Sequence, residues 1–221
     1  MKIRHYPLLL GAVLLAFGSG AQALQISISP SSPLVNQGGN LSVAIVIAGL
    51  APGGAPSLGS FDLNLSFDPA ILGLDPADGN GDGVIDSVLL DPDGQLDTFA
   101  AGLNLVAAGI TAIGTVNLFE LSFDLPMVLN ANQASSFTLA TISFLAVAPG
   151  TSALGLGVLA LSDELGRTLT ATLSNASVSV SDTQVPIPSP LLLLLAGVGW
   201  PVARAFRECR ARRWSNSRPD V

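Results

Sequence analysis

Residues 24–184 contain no histidine, cysteine, lysine, tyrosine or tryptophan. His5 and Tyr6 lie near the N-terminus, and Trp200, Cys209 and Trp214 lie near the C-terminus. Without histidine or lysine this segment can build neither a Ser-His-Asp triad nor a Ser-Lys dyad. Zinc sites of histidine and cysteine are excluded, and so is a P-loop, which needs its lysine. A lone cysteine outside the segment means that no intrachain disulfide supports it. Positive charge is almost as scarce. Fourteen Asp and Glu stand against Arg167 alone, a formal charge of −13 for the segment. Such a surface repels nucleic acid, which is ruled out as a partner, and attracts divalent cations.

Carboxylates are therefore the only catalytic groups left. A glycosidase needs two of them about 5–9.5 Å apart. Glu120 and Asp124 fall on one face of an expected strand, but four residues of extended chain separate them by about 14 Å. Asp163 and Glu164 are neighbours and are expected to pair loosely with Arg167, an exposed contact worth about 0–1 kcal/mol. No catalytic residue is assigned, and the chain is read as a non-enzyme.

What is present begins with the two ends. Lys2 and Arg4 precede an apolar run from Leu8 to Phe17, and Ala21-Gln22-Ala23 offers a small-x-small cleavage site. This is the pattern of a secretory signal peptide over residues 1–23, cut after Ala23. At the other end Val185-Pro186-Ile187-Pro188 sits in a Pro-rich linker (182–190). An apolar segment (191–206) and a basic tail (207–221) with Arg207, Arg210, Arg212 and Arg213 follow. The apolar stretch 187–203 would make a helix of about 25 Å, just under a bilayer core of about 30 Å. Basic residues stay on the cytoplasmic side, so the tail is expected inside and the preceding chain outside.

This order of Pro motif, apolar segment and basic tail resembles the PEP-CTERM sorting signal of Gram-negative bacteria that secrete polysaccharide. The resemblance implies a membrane-embedded sorting protease of the exosortase kind as a partner. The chain would pass through an inner-membrane intermediate to the cell surface or extracellular matrix. Ile187 stands where that family usually has Glu.

The segment between the ends reads as strands. Phe61-Asp62-Leu63-Asn64-Leu65-Ser66-Phe67-Asp68 alternates strictly, placing Phe61, Leu63, Leu65 and Phe67 inward. Leu41-Val43-Ile45-Ile47, Phe119-Leu121-Phe123-Leu125 and Leu154-Leu156-Val158 repeat the pattern. The stretch 137–147 is apolar more continuously, as a strand buried between layers would be. Gly, Pro and Asn clusters at 36–40, 51–56, 130–133 and 149–150 punctuate the runs. Gly155-Leu156-Gly157-Val158-Leu159-Ala160 formally fits a dinucleotide fingerprint, but no strand-to-helix unit surrounds it, and it reads as a strand with small residues. The expectation is an antiparallel β-sandwich over residues 24–181 with no long helix.

Within it, Leu65-Ser66-Phe67-Asp68-Pro69-Ala70-Ile71-Leu72 resembles the hydrophobe-x-aromatic-Asp-Pro-x-x-Leu segment of cohesin domains. Phe137 to Phe144, followed by Pro149-Gly150-Thr151-Ser152, resembles a later cohesin strand and its turn. The resemblance implies a jelly-roll of about nine strands, related to carbohydrate-binding modules, with a non-catalytic recognition role.

One insert departs from that pattern. In the acidic stretch 75–97, counting Asp78 as position 1, oxygen ligands fall at Asp78, Asn80, Asp82, the Val84 carbonyl and Asp86, with Gly83 at the sharp turn. This is the ligand spacing of an EF-hand or dockerin calcium loop. Position 12 is Leu89 rather than an acid, and Asp91 or Asp93 folding back, or a water, is expected to complete the site. Calcium is the cofactor expected.

Together these features describe an exported, non-catalytic module binding a surface protein or an extracellular polysaccharide. A self-associating matrix or surface-layer protein is the second reading, and a carboxylate-dependent hydrolase the third. Flat glycan platforms use Trp and Tyr faces, which the segment lacks, so protein contact or calcium-bridged contact with acidic polysaccharide suits the composition better.

Overall fold

The structure, a computed structural model, describes residues 23–99 and 102–182. The signal-peptide positions up to Gln22, including Ala21, lie outside the described residues. The same holds for the sorting motif Val185, Pro186, Ile187 and Pro188, and for the apolar segment and basic tail. Ala23 is exposed, and the first strand begins at Gln25. Among the described residues no helix is long and apolar enough to cross a membrane.

In chain order the strands are β1 (Gln25–Pro30), β2 (Leu34–Asn36), β3 (Asn40–Ala48), β4 (Leu58–Ser66), β5 (Leu72–Gly73) and β6 (Val88–Leu90). There follow β7 (Leu105–Ala112), β8 (Thr115–Leu121), the short helix α1 (Pro126–Asn132), β9 (Ser136–Ala146), β10 (Gly150–Asp163), β11 (Thr172–Ser174) and β12 (Ala176–Ser181). They form two sheets. One runs β11-β1-β3-β9-β5 with β6 also on β9; the other runs β2-β12-β10-β4-β8-β7.

Alternation builds the core. In β3, Leu41, Val43, Ile45 and Ile47 are buried, and in β4, Phe61, Leu63 and Leu65 face them from the other sheet. Ile26, Leu139, Ile142, Leu154 and Val178 complete the same cluster. Each such side chain contributes about 1.5–3 kcal/mol when taken fully from water. The β-sandwich is therefore as expected, but it has twelve described strands rather than nine. Four of the twelve (β2, β5, β6 and β11) are only two or three residues long. It is also not wholly antiparallel: β11 joins β1 and β2 joins β12 in parallel register.

Two alternations differ from expectation. In β8 the buried positions are Val116, Leu118 and Glu120, so Phe119 and Leu121 turn to the outer face. Phe123 and Leu125 lie beyond the strand and are 62% and 61% exposed. Apolar residues occupy both faces of this strand, and its pairing with β4 (Leu63 to Leu118, Leu65 to Val116) selects the face that meets the core. In β10 the pairing with β4 shifts between Val158 and Ala160, which resets the alternation so that Leu161 and Asp163 point inward. A bulge of this kind adds one unpaired residue. Gly155 and Gly157 lie within this strand, as the small-residue reading required.

Candidate functional site

The acidic insert leaves the sheet at β5 and returns at β6, and both of these strands pair with β9. Between them the chain folds on its own carboxylates. Asp78 Oδ1 accepts the Gly81 amide at 2.8 Å and Oδ2 accepts that of Gly83 at 3.1 Å. Asn80 Oδ1 takes the Asp82 amide at 3.1 Å, and Asp82 Oδ1 takes the Val84 amide at 2.8 Å. Asp86 closes the loop through the Gly79 amide, while its own amide donates to the Ala77 carbonyl at 2.7 Å. Gly83 makes the turn at φ +87°, a conformation that costs glycine nothing. The loop is anchored to β7 by a pair of backbone bonds, Ile85 N–H to Ala108 at 3.1 Å and Ala108 N–H to Gly83 at 3.0 Å.

Asp78, Asn80, Asp82, Val84 and Asp86 are thus brought into one loop. Asp91 is not. Its Oδ1 accepts the Gln95 amide and its Oδ2 the Leu96 amide, holding the carboxylate in a separate turn at a left-handed φ of 37°. Leu89, the nominal twelfth position, sits in β6 opposite Thr141 and carries no ligand. Among the described residues no group of three Asp, Glu, His or Cys stands in metal-holding geometry. Among the described residues Arg167 is the only basic one.

A second acidic place was not expected. A pocket of about 310 Å³ is lined by Asp91, Asp97, Asn104, Val106 and Glu120 among others. Glu120 is only 3% exposed. Its Oε1 accepts from Asn104 Nδ2 at 2.9 Å, while the buried Oε2 has no hydrogen-bond partner. Burial pushes its pKa up to about 7; the Asn104 bond opposes this, and the nearby charges of Asp91 and Asp97 add to it. Burial also raises the Asp91 pKa, against the lowering effect of the Leu96, Gln95 and Asp97 amides. In the sequence, a Glu between Phe119 and Leu121 looks like a solvent-facing strand residue. Its only signal was the competing Val116-Leu118 alternation.

Asp163 and Glu164 do not form the expected pair with Arg167. Asp163 Oδ1 caps the turn by accepting the Leu165 and Arg167 amides, and Glu164 accepts from Ser57 and Asn130. Asp124 is likewise engaged by Thr98, through both its amide and its hydroxyl.

The third feature is the outer face of the sheet β10-β4-β8-β7. Register aligns Asp62 with Phe119, Asn64 with Asn117 and Ser60 with Leu121. Asn117 Nδ2 donates to Asp62 Oδ1 at 2.6 Å and to Asn64 Oδ1 at 3.1 Å. Ala107 and Gly109 flank them from β7, and Gly157 and Ala160 from β10. Small residues thus flank the polar Asp62, Asn64 and Asn117, and the apolar Leu105, Phe119 and Leu121 share the same face beside them.

This two-sheet arrangement defines the fold as cohesin-like. It is similar to a type I cohesin of Clostridium thermocellum (Coh-OlpA) solved in complex with a dockerin, with 12% identity, TM-score 0.54, and coverage of 72% of this chain and 99% of that one. A ScaB type I cohesin from Pseudobacteroides cellulosolvens matches with 17% identity, TM-score 0.52, and coverage of 74% and 96%. A cohesin from Clostridium acetobutylicum matches with 18% identity, TM-score 0.51, and coverage of 72% and 92%. No protein-family model and no curated protein matches the sequence.

Proposed function

We propose that this chain is an exported, non-catalytic recognition module whose sandwich binds a protein partner through the outer face of β10-β4-β8-β7. The observation that carries this reading is the pairing of a cohesin-like fold with that outer face, polar at Asp62, Asn64 and Asn117 and apolar at the adjoining Leu105, Phe119 and Leu121. Protein interfaces combine such an apolar margin with directed hydrogen bonds. The solved neighbours include cohesins in complex with dockerins. The lack of Trp and Tyr in residues 24–184 argues against a stacked-sugar platform. Export rests on the N-terminal signal pattern, and surface delivery on the likeness of the C-terminal end to a PEP-CTERM signal cut by an exosortase-type protease. The 78–86 loop is proposed to bind calcium weakly, with a dissociation constant of about 0.1–1 mM as in extracellular modules. The ion would stiffen an insert whose acids otherwise repel one another.

Co-sedimentation of the full chain with the host's surface-protein fraction and, separately, with its extracellular polysaccharide tests the reading. Binding to the protein fraction that is lost in Asp62→Lys and Asn117→Lys supports it. Binding to polysaccharide alone would make this a glycan module. Concentration-dependent self-association with neither fraction bound would make it a structural matrix protein.

A further inference from the structure

Glu120 lies where a charge is hardest to keep. Its register partners are Phe61 in β4 and Val106 in β7. The residue is 3% exposed, and its Oε2 shows less than 1 Å² to solvent and meets no hydrogen-bond partner. Oε1 accepts from Asn104 Nδ2 at 2.9 Å, which leaves Oε2 as the oxygen that carries the proton of the neutral acid. Strand β7 has no titratable residue, and β8 has none besides Glu120. The one in β4, Asp62, is bonded to Asn117 on the outer face. Among the described residues the charged groups that act on Glu120 are Asp91 and Asp97, both acids. Losing the proton would therefore bury an ion with a single donor, and such a group either keeps its proton or finds water. A pocket of about 310 Å³ adjoins the residue at Gly102, Asn104 and Val106, while Oε2 itself stays sealed. That volume takes several waters at about 30 Å³ each. Asn104 is the wall between the two. It stands just before β7 and reaches β8 through side-chain bonds, its Nδ2 to Glu120 and its Oδ1 accepting the Phe123 amide at 3.4 Å.

We propose that Glu120 is a buried proton switch of the β7–β8 edge: protonated, it packs β7 on β8, and ionised, it draws water in past Asn104 and loosens the first pair, Leu105 and Leu121. Burial outweighs the Asn104 bond, and the charges of Asp91 and Asp97 add to it, so the fold holds this proton up to about pH 7. The same group in water releases it near 4.5. Between those values the folded chain binds one proton more than the unfolded chain, and the stability this group contributes is lost as the pH rises through 7. Residues 24–184 contain no histidine or cysteine, so only a displaced carboxyl can respond there. Leu105 and Leu121 belong to the apolar area of the outer face. Control of partner binding through them rests on the reading proposed above; the switch itself does not. Where only the protonated form binds, its share drops to about one tenth at pH 8, and affinity falls about tenfold from that at pH 6.

The test is a pH titration of the full chain with 13C-labelled glutamate, read by NMR. The sequence has three glutamates, Glu120, Glu164 and Glu208, and the resonance missing in Glu120→Gln identifies the first. Its carboxyl carbon is expected to titrate with a midpoint of about 7. In Asn104→Ala the midpoint is expected to move higher, because the bond that favours the charged form is gone. That movement also identifies the resonance if Glu120→Gln does not fold. Amide protection factors at Leu105 and Leu121 are expected to fall about tenfold between pH 6 and pH 8 in wild type and to stay level in Glu120→Gln. Binding to the surface-protein fraction should weaken about tenfold over the same range in wild type alone. A midpoint below about 5.5 overturns the proposal. So does protection at Leu105 and Leu121 that is the same at both pH values. Equal affinity at pH 6 and pH 8 overturns the control of binding. If no partner binds, the partner-binding reading fails by itself, since midpoint and protection are measured without one and still decide the switch.

Discussion

The rings of Phe67 and Phe144 meet edge to face, with centroids 5.0 Å apart and planes at 63°. Phe67 follows β4 and Phe144 lies in β9, so one aromatic contact ties the two sheets together next to the exit of the acidic insert. Edge-to-face pairs add about 0.5–1.5 kcal/mol to what burial alone provides. Phe144→Ala is therefore expected to cost about 3–5 kcal/mol, and Phe144→Leu much less. Urea denaturation of the two variants against wild type measures this. A loss below about 1 kcal/mol for the alanine variant would mean that the contact does not close the sandwich.

Asp78 organises the 78–86 loop by accepting the Gly81 and Gly83 amides through separate oxygens. Asp78→Ala removes both acceptors, so these two amides should exchange with solvent at least tenfold faster in calcium-free buffer. The fold should stay within about 0.5 kcal/mol of wild type, because the loop is exposed and outside the core. Unchanged exchange at Gly81 and Gly83 would show that the loop is not held by this residue.

Gly83 allows a sharper test of the same loop. At φ +87° it occupies backbone space that L-residues rarely adopt, and a Cβ there would meet no atom within 4 Å. Gly83→Ala therefore carries a purely conformational cost, about 1–2 kcal/mol for a left-handed residue. Because the Gly83 carbonyl also accepts from Ala108, the strain is expected to loosen the loop from β7 and to lower calcium affinity about tenfold. Calcium titration of Gly83→Ala beside wild type reads this directly. Equal affinities would place the ion away from this turn.

What the sequence made legible divides along physical lines. Strand β4 alternates apolar with polar residues, and β3 sets the large Leu41, Val43, Ile45 and Ile47 on one face against Ser42, Ala44 and Val46 on the other, so one face is clearly the better to bury, and the structure buries that face. Strand β8 has Val116 and Leu118 on one face and Phe119 and Leu121 on the other. The choice is then made by cross-strand register with β4, which period-two reasoning does not contain. That choice carries Glu120 inward and Phe119 outward, so the acidic pocket and the apolar rim of the outer face were missed together. Strands of two or three residues, such as β5 and β6, are too short for any period. Their existence depends on β9 offering a partner. That Asp78, Asn80, Asp82, Val84 and Asp86 share one loop was legible because their spacing is local. Asp91 was misplaced because its position depends on amides at Gln95 and Leu96 that no spacing rule reveals.

Gln133 joins three separate pieces of chain just beyond α1. It is 3% exposed; its Oε1 accepts the Leu58 amide, and its Nε2 donates to the Leu58 and Gln95 carbonyls at 3.0 and 3.1 Å. The residue therefore locks the start of β4 to the turn that carries Asp91 and Asp97. Gln133→Ala leaves one buried amide and two carbonyls without this partner and opens a cavity as well. At about 1–3 kcal/mol for each buried group left unsatisfied, three such groups give an expected loss of at least about 3 kcal/mol. The loss should not be uniform over the molecule. Amide exchange at Gln95 and Leu96 should accelerate more than exchange in β3 and β9, because the turn loses its tether while the sheets keep theirs. Equal acceleration throughout the sandwich would instead show that Gln133 stabilises the whole fold and gives the turn no special support.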